Sequence, residues 1–164
     1  MSKYIRDLGW ALGWKLPLLV CLIGFFSVSS SGCESDKSGI GVTAGRESPL
    51  AILVKTCSAS AVVYEVRLEE YGSDSKGRVV WDIVSSKGSG ARTFEAGVTP
   101  DDFDERTPLD ASQLSRDLTA VVRTSEVDHD GVSFDLGKVS GGTVLLANGK
   151  TASPDEFAKF NVCD

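Results

Sequence analysis

Residues able to do chemistry are few in this chain, and their spacing narrows what they can do. It holds four cysteines and one histidine. That histidine, His129, stands between Asp128 and Asp130, and no Gly-x-Ser-x-Gly elbow offers it a nucleophile. A base serves catalysis only beside its nucleophile, and Asp128-His129-Asp130-Gly131 has the composition of a solvated turn. Glu126, Asp128, Asp130 and Gly131 fit the first, third, fifth and sixth places of an EF-hand calcium loop. The twelfth place is Gly137 instead of a chelating Glu, and Val132 onward alternates as a strand. Glu126, Asp128 and Asp130 are therefore weak metal candidates.

The acidic run Asp101-Asp102-Phe103-Asp104-Glu105, with Asp110, offers hard oxygen ligands or a carboxylate pair for glycoside hydrolysis. Such runs more often solvate a loop. Gly39-Ile40-Gly41 and Gly45 imitate part of a phosphate-binding loop but lack the Lys-Ser/Thr that follows one. The expectation is a protein that is not an enzyme and needs no cofactor.

The N-terminus carries a clearer signal. Lys3, Arg6 and Lys15 outweigh Asp7, residues 16–28 (LPLLVCLIGFFSV) are uncharged and apolar, and Ser29, Ser30, Ser31 and Gly32 are small. A basic segment, an apolar segment of this length and a small-residue zone form an export signal, too short to be a comfortable spanning helix. Ser29-Ser30-Ser31-Gly32-Cys33 resembles the lipobox of bacterial lipoproteins, with Ser30 where that family usually has an aliphatic residue. The resemblance implies cleavage after Gly32, a diacylglyceryl group on Cys33, and a protein held on the extracytoplasmic side of the cell membrane. Two acyl chains anchor stably where one does not. An ordinary secretory peptide and an uncleaved anchor are the alternatives.

Removing residues 1–32 leaves 132 residues with fourteen Lys and Arg against twenty-two Asp and Glu, a net charge of −8. That balance disfavours nucleic acid as a partner. Cys21 leaves with the signal and Cys33 goes to lipid. The remaining Cys57 and Cys163, 106 positions apart, are expected to form one structural disulfide, as suits an oxidising compartment. They lack the Cys-x-x-Cys spacing of a redox-active pair. Closing a loop of about 100 residues stabilises a fold by about 4.7 kcal/mol on the chain-entropy account.

The elements that must position these groups follow from periodicity. Residues 33–49 are polar and rich in Gly and Ser, and read as a flexible tether ahead of a domain at residues 50–164. Period-two alternation then recurs over residues 51–57, 61–71, 79–83, 92–96, 118–124, 131–136 and 143–147. It places Val62, Tyr64, Val66 and Leu68 on one face, then Val79, Trp81 and Ile83, with Phe94 and Phe134 also inward. Turns are expected at residues 71–77, 87–90, 130–131 and 148–149. Residues 99–117 form a polar stretch anchored by Phe103 and Leu109. Ser153-Pro154-Asp155-Glu156 has the order of a capping box, so a short helix should follow, docking Phe157 and Phe160 and delivering Cys163 to Cys57.

This pattern predicts a mainly β domain, a β-sandwich of immunoglobulin-like architecture or a small barrel, with a short C-terminal helix. Trp81 between two cysteines resembles immunoglobulin domains, although Asn161 stands where their tyrosine would be. The stretch from Phe94 to Leu109 resembles uncharacterised actinobacterial surface β-domains, which implies no activity. The function expected is a membrane-tethered lipoprotein whose β-domain binds a cell-envelope protein or polymer. The alternative is a calcium-dependent binder or envelope hydrolase using the acidic loops. A transporter's solute-binding lipoprotein is disfavoured, because 132 residues are few for two lobes.

Overall fold

The computed structural model describes residues 39–70 and 77–163; Cys33, the export segment and Tyr71 lie outside them. Among the described residues ten strands run in chain order: β1 Ile40–Thr43, β2 Ala51–Val54, β3 Val63–Glu70, β4 Arg78–Ser89, β5 Thr93–Glu95, β6 Asp104–Thr107, β7 Asp117–Thr124, β8 Asp130–Asp135, β9 Val144–Leu146 and β10 Thr151–Ala152. One helix, α1, spans Pro154–Lys159. The strands make two antiparallel five-stranded sheets, ordered β10-β9-β1-β2-β5 and β6-β4-β3-β7-β8. The sheets stay separate, so the architecture is a sandwich and not a closed barrel. Among the described residues no helix is long and apolar enough to cross a membrane.

Alternation dictates the core. Val66 and Leu68 of β3, Trp81 and Ile83 of β4, Leu118, Ala120 and Val122 of β7, and Val132 and Phe134 of β8 are all buried. They meet Ile40, Val42, Ile52, Val54, Phe94 and Leu145 of the other sheet in one hydrophobic cluster. Phe94 and Phe103 pack edge to face, ring centroids 5.4 Å apart. The expected hairpin is present as β7–β8, in register from Asp117↔Asp135 to Val122↔Asp130.

Part of the expected tether is a strand. Residues 40–43 form a strand at the middle of the first sheet, paired with β2 on one side and β9 on the other. Residues 40–43, expected within the tether, therefore belong to the sandwich. Gly39 and Gly41 look like loop residues but serve close packing. A Cβ on Gly39 would lie 2.2 Å from the Lys55 carbonyl oxygen, and one on Gly41 would lie 2.3 Å from Val144 Cγ1. Glycine inside a strand marks such an approach.

Bulges correct three further expectations. The register of β3 against β4 shifts between Val63 and Glu65, which moves Val63 into the core and leaves Tyr64 half-buried. The Arg123 guanidinium carbon lies 5.4 Å from the centroid of the Tyr64 ring. A second shift between Leu68 and Glu69 buries Val80 and exposes Val79. The turn expected at residues 87–90 lies within β4, whose Gly88 takes φ +77. A Cβ there would also sit 2.6 Å from Val62 Cγ2.

The polar stretch contains a strand as well. β6 pairs with β4 at the rim of the second sheet, with Asp104 and Glu105 exposed. Charge on an edge strand discourages pairing with another chain, which gives the acidic run a structural use.

Candidate functional site

One end of the sandwich gathers several of the residues singled out by their chemistry. A cleft of about 540 Å³ opens there between the end of β2 and the β7–β8 hairpin. Ile40, Val54 and Val122 form its apolar wall; Lys55, Cys57, Glu126, Asp130 and Cys163 contribute its polar lining. A second, more open depression of about 500 Å³ lies across the same segment, so Val54–Cys57 forms a ridge between the two.

Lys55 organises this end. Its ammonium donates to the carbonyl oxygens of Phe157, Ala158 and Phe160, at 3.5 Å and 2.6 Å for the first two. The Phe157 carbonyl also accepts from the Phe160 N–H at 3.1 Å, and a cation beside these carbonyls meets the negative end of the helix dipole. At the other end of α1 the capping box forms as expected. Ser153 Oγ accepts from the Glu156 N–H at 3.2 Å, and Glu156 Oε2 accepts from the Ser153 N–H at 2.7 Å. The Ser153 amide and hydroxyl hold the Glu156 carboxyl below its ordinary range. Phe157 is buried, whereas Phe160, expected to dock, is 42% exposed and only meets Phe157 edge-on.

The two cysteines reach the same cleft without being joined, and the expected Cys57–Cys163 disulfide is absent from the structure. Cys57 Sγ donates to the Val162 carbonyl oxygen at 3.3 Å, one residue short of Cys163. The Cys163 N–H is held by Asn161 Oδ1 at 3.2 Å. Both cysteines are exposed.

The calcium candidates are not brought together. Glu126 uses its two carboxylate oxygens on backbone, accepting from the N–H groups of Cys57 at 2.8 Å and Ser58 at 2.7 Å. It thereby ties the β2–β3 loop to the hairpin. Asp128 stays exposed, 3.6 Å from His129 Nδ1, and Asp130 Oδ1 accepts from the Gly131 N–H at 2.8 Å. No group of three metal-ligating side chains converges among the described residues. Asp110 is likewise committed: it caps a short 3-10 turn, accepting from Ser112 N and Oγ and from Gln113 Nε2. Hydrogen bonds from Ser112 are the main cause of its lowered pKa.

A second charged constellation, missed from the sequence as a site, lies on the face of β3, β4 and β7 away from the core. Glu65 accepts from Arg67 Nη1 at 3.0 Å and from Arg123 Nε at 3.2 Å. Arg67 Nε lies 2.7 Å from Glu69 Oε1, and Arg67 stands opposite Asp82 in the register. Asp82 is only 9% exposed, and its Oδ1 has no hydrogen-bond partner among the described residues. Burial, reinforced by the charge of Glu65, raises the Asp82 pKa against the pull of Arg106 and Arg67. The signal available in the sequence was the alternation Glu65-x-Arg67-x-Glu69. Its burial was not legible, because it comes from neighbouring long side chains.

No family model, curated protein or solved structure matches this chain.

Proposed function

We propose that the protein is an extracytoplasmic lipoprotein, anchored in the cell membrane through Cys33, whose β-sandwich is a non-enzymatic binding module for a cell-envelope protein or polymer. The observation that carries this reading is the N-terminal sequence itself. A basic segment, the apolar run LPLLVCLIGFFSV and Ser-Ser-Ser-Gly-Cys follow one another within the first 33 residues.

Mass spectrometry of the mature protein tests the anchor. A diacylglyceryl-modified Cys33 at the new N-terminus is expected, and Cys33→Ser should move the protein from the membrane fraction to the soluble one. An unmodified N-terminus elsewhere overturns the lipoprotein reading. Cross-linking on intact cells tests the module, with Cys33→Ser as the displaced control: a defined set of envelope neighbours lost in the variant is expected. Neighbours unchanged by displacement overturn it.

A further inference from the structure

We propose that Cys57 and Cys163 form a reversible intramolecular disulfide, a clasp that pins the C-terminal tail across the mouth of the cleft they both line. The proposal does not need the lipid anchor, but its physiological use rests on the export reading, because disulfides persist in oxidising compartments.

Three observations place the pair. The Cys57 sulfur already touches the Val162 carbonyl oxygen at 3.3 Å. That carbonyl and the Cα of Cys163 share one peptide plane, so the second cysteine is one peptide unit away. The tail is also held in place before any bond forms. Lys55, two residues before Cys57, grips the three carbonyls that end α1, and Asn161 turns the chain by accepting from the Cys163 amide. Both cysteines, finally, are exposed. Buried structural bridges resist reduction, whereas exposed ones are the labile and regulatory class.

The chemistry is ordinary thiol–disulfide exchange. The Cys57 thiolate attacks a sulfur of a small-molecule or protein disulfide, RS–SR, forming a mixed disulfide and expelling one RS⁻. The Cys163 thiolate then attacks the Cys57 sulfur and expels the second. Two electrons pass from the protein thiols to RS–SR, which leaves as two RSH after taking up the two protons. The Cys57 hydrogen bond to Val162 is exchanged for a covalent bond, and the tail can no longer swing off the cleft.

The test uses the full chain with Cys21→Ser and Cys33→Ser, purified in detergent and equilibrated across ratios of reduced to oxidised glutathione. Non-reducing peptide mapping should find a Cys57–Cys163 cross-link in the monomer, reversed by dithiothreitol. The oxidised form should also release C-terminal residues to a carboxypeptidase at least several-fold more slowly than the reduced form. Lys55→Met loosens the tail and lowers the effective concentration of one thiol at the other, so its equilibrium should shift several-fold toward the thiols. Glutathione adducts on both cysteines, or disulfide-linked dimers only, would overturn the clasp. An unchanged equilibrium in Lys55→Met would overturn the claim that the docked tail positions the pair. Loss of membrane anchorage in the separate Cys33→Ser experiment bears on the address alone, so the two proposals fail independently.

Discussion

Carboxylates that look alike in the sequence meet opposite fates at the level of single residues. Glu126 is a fastener, with each oxygen on a loop amide, and hydrogen bonds to charged groups contribute about 1.5–3 kcal/mol when well shielded. At this exposed site Glu126→Ala is expected to destabilise the domain by about 1–2 kcal/mol in urea denaturation, while millimolar calcium leaves the melting temperature of the native chain unchanged. A calcium-dependent rise in melting temperature would return these carboxylates to metal binding. Asp82 behaves differently. Its folded-state pKa is raised by burial and by Glu65, so its ionised form disfavours folding. Its stabilising contribution is complete below the unfolded pKa and is lost as pH rises through the folded one. Asp82→Asn should therefore be more stable than the native chain at neutral pH, with the difference vanishing toward strong acid. Glu70 and Asp135 run the other way. Burial opposes the shift at Glu70, but hydrogen bonds from Arg78 and Ser115 outweigh it, and Arg116 lowers Asp135. Acid removes what these two contribute, beginning as pH falls from the unfolded carboxylate pKa. Urea midpoints measured across the acid range separate the two behaviours. None of this was legible from residue types, because Glu126 meets Cys57 across 69 positions of chain and Glu70 meets Ser115 across 45.

Elements were legible wherever their signal was local. The capping box of α1 lies within four consecutive residues, and the β7–β8 hairpin alternates cleanly on both arms. Strands that carry glycine or a bulge were not. β1 was read as linker because Gly39, Gly41 and Gly45 dilute the Ile40-x-Val42 alternation. Lys87-Gly88 reads as the end of β4, yet the strand continues to Ser89 with Gly88 in a left-handed conformation. Each bulge inverts the parity of the residues beyond it, which is why Tyr64 and Val79 were assigned to the wrong face. Gly88→Ala combines a positive φ with a close approach to Val62, and is expected to destabilise by about 1–3 kcal/mol. Gly41→Ala would crowd Val144 and the Phe157 ring, with a similar loss of about 1–3 kcal/mol from overpacking. Thermal melts of both variants check these figures; a native-like melting temperature for Gly41→Ala would mean that α1 docks elsewhere. Lys55→Met keeps the aliphatic stem but removes the cap on α1, for about 1 kcal/mol, with earlier proteolysis at the C-terminus.

At the largest scale the described residues form a two-sheet sandwich, whose fold class followed from the number and spacing of alternating segments. Strand order did not follow, because it depends on pairings across most of the chain, such as β1 with β9. That pairing has a mechanical consequence. With a lipid on Cys33, only six residue steps separate the bilayer anchor from Gly39, a leash of at most about 20 Å. A strand-free segment as far as Pro49 would have allowed about 55 Å. A compact domain of this size has a radius of gyration of about 14 Å and so is about 36 Å across, wider than the leash is long. On the proposed lipoprotein reading, such a sandwich would not sweep the envelope for its partner; it would stand at the membrane, and what it binds would have to arrive there.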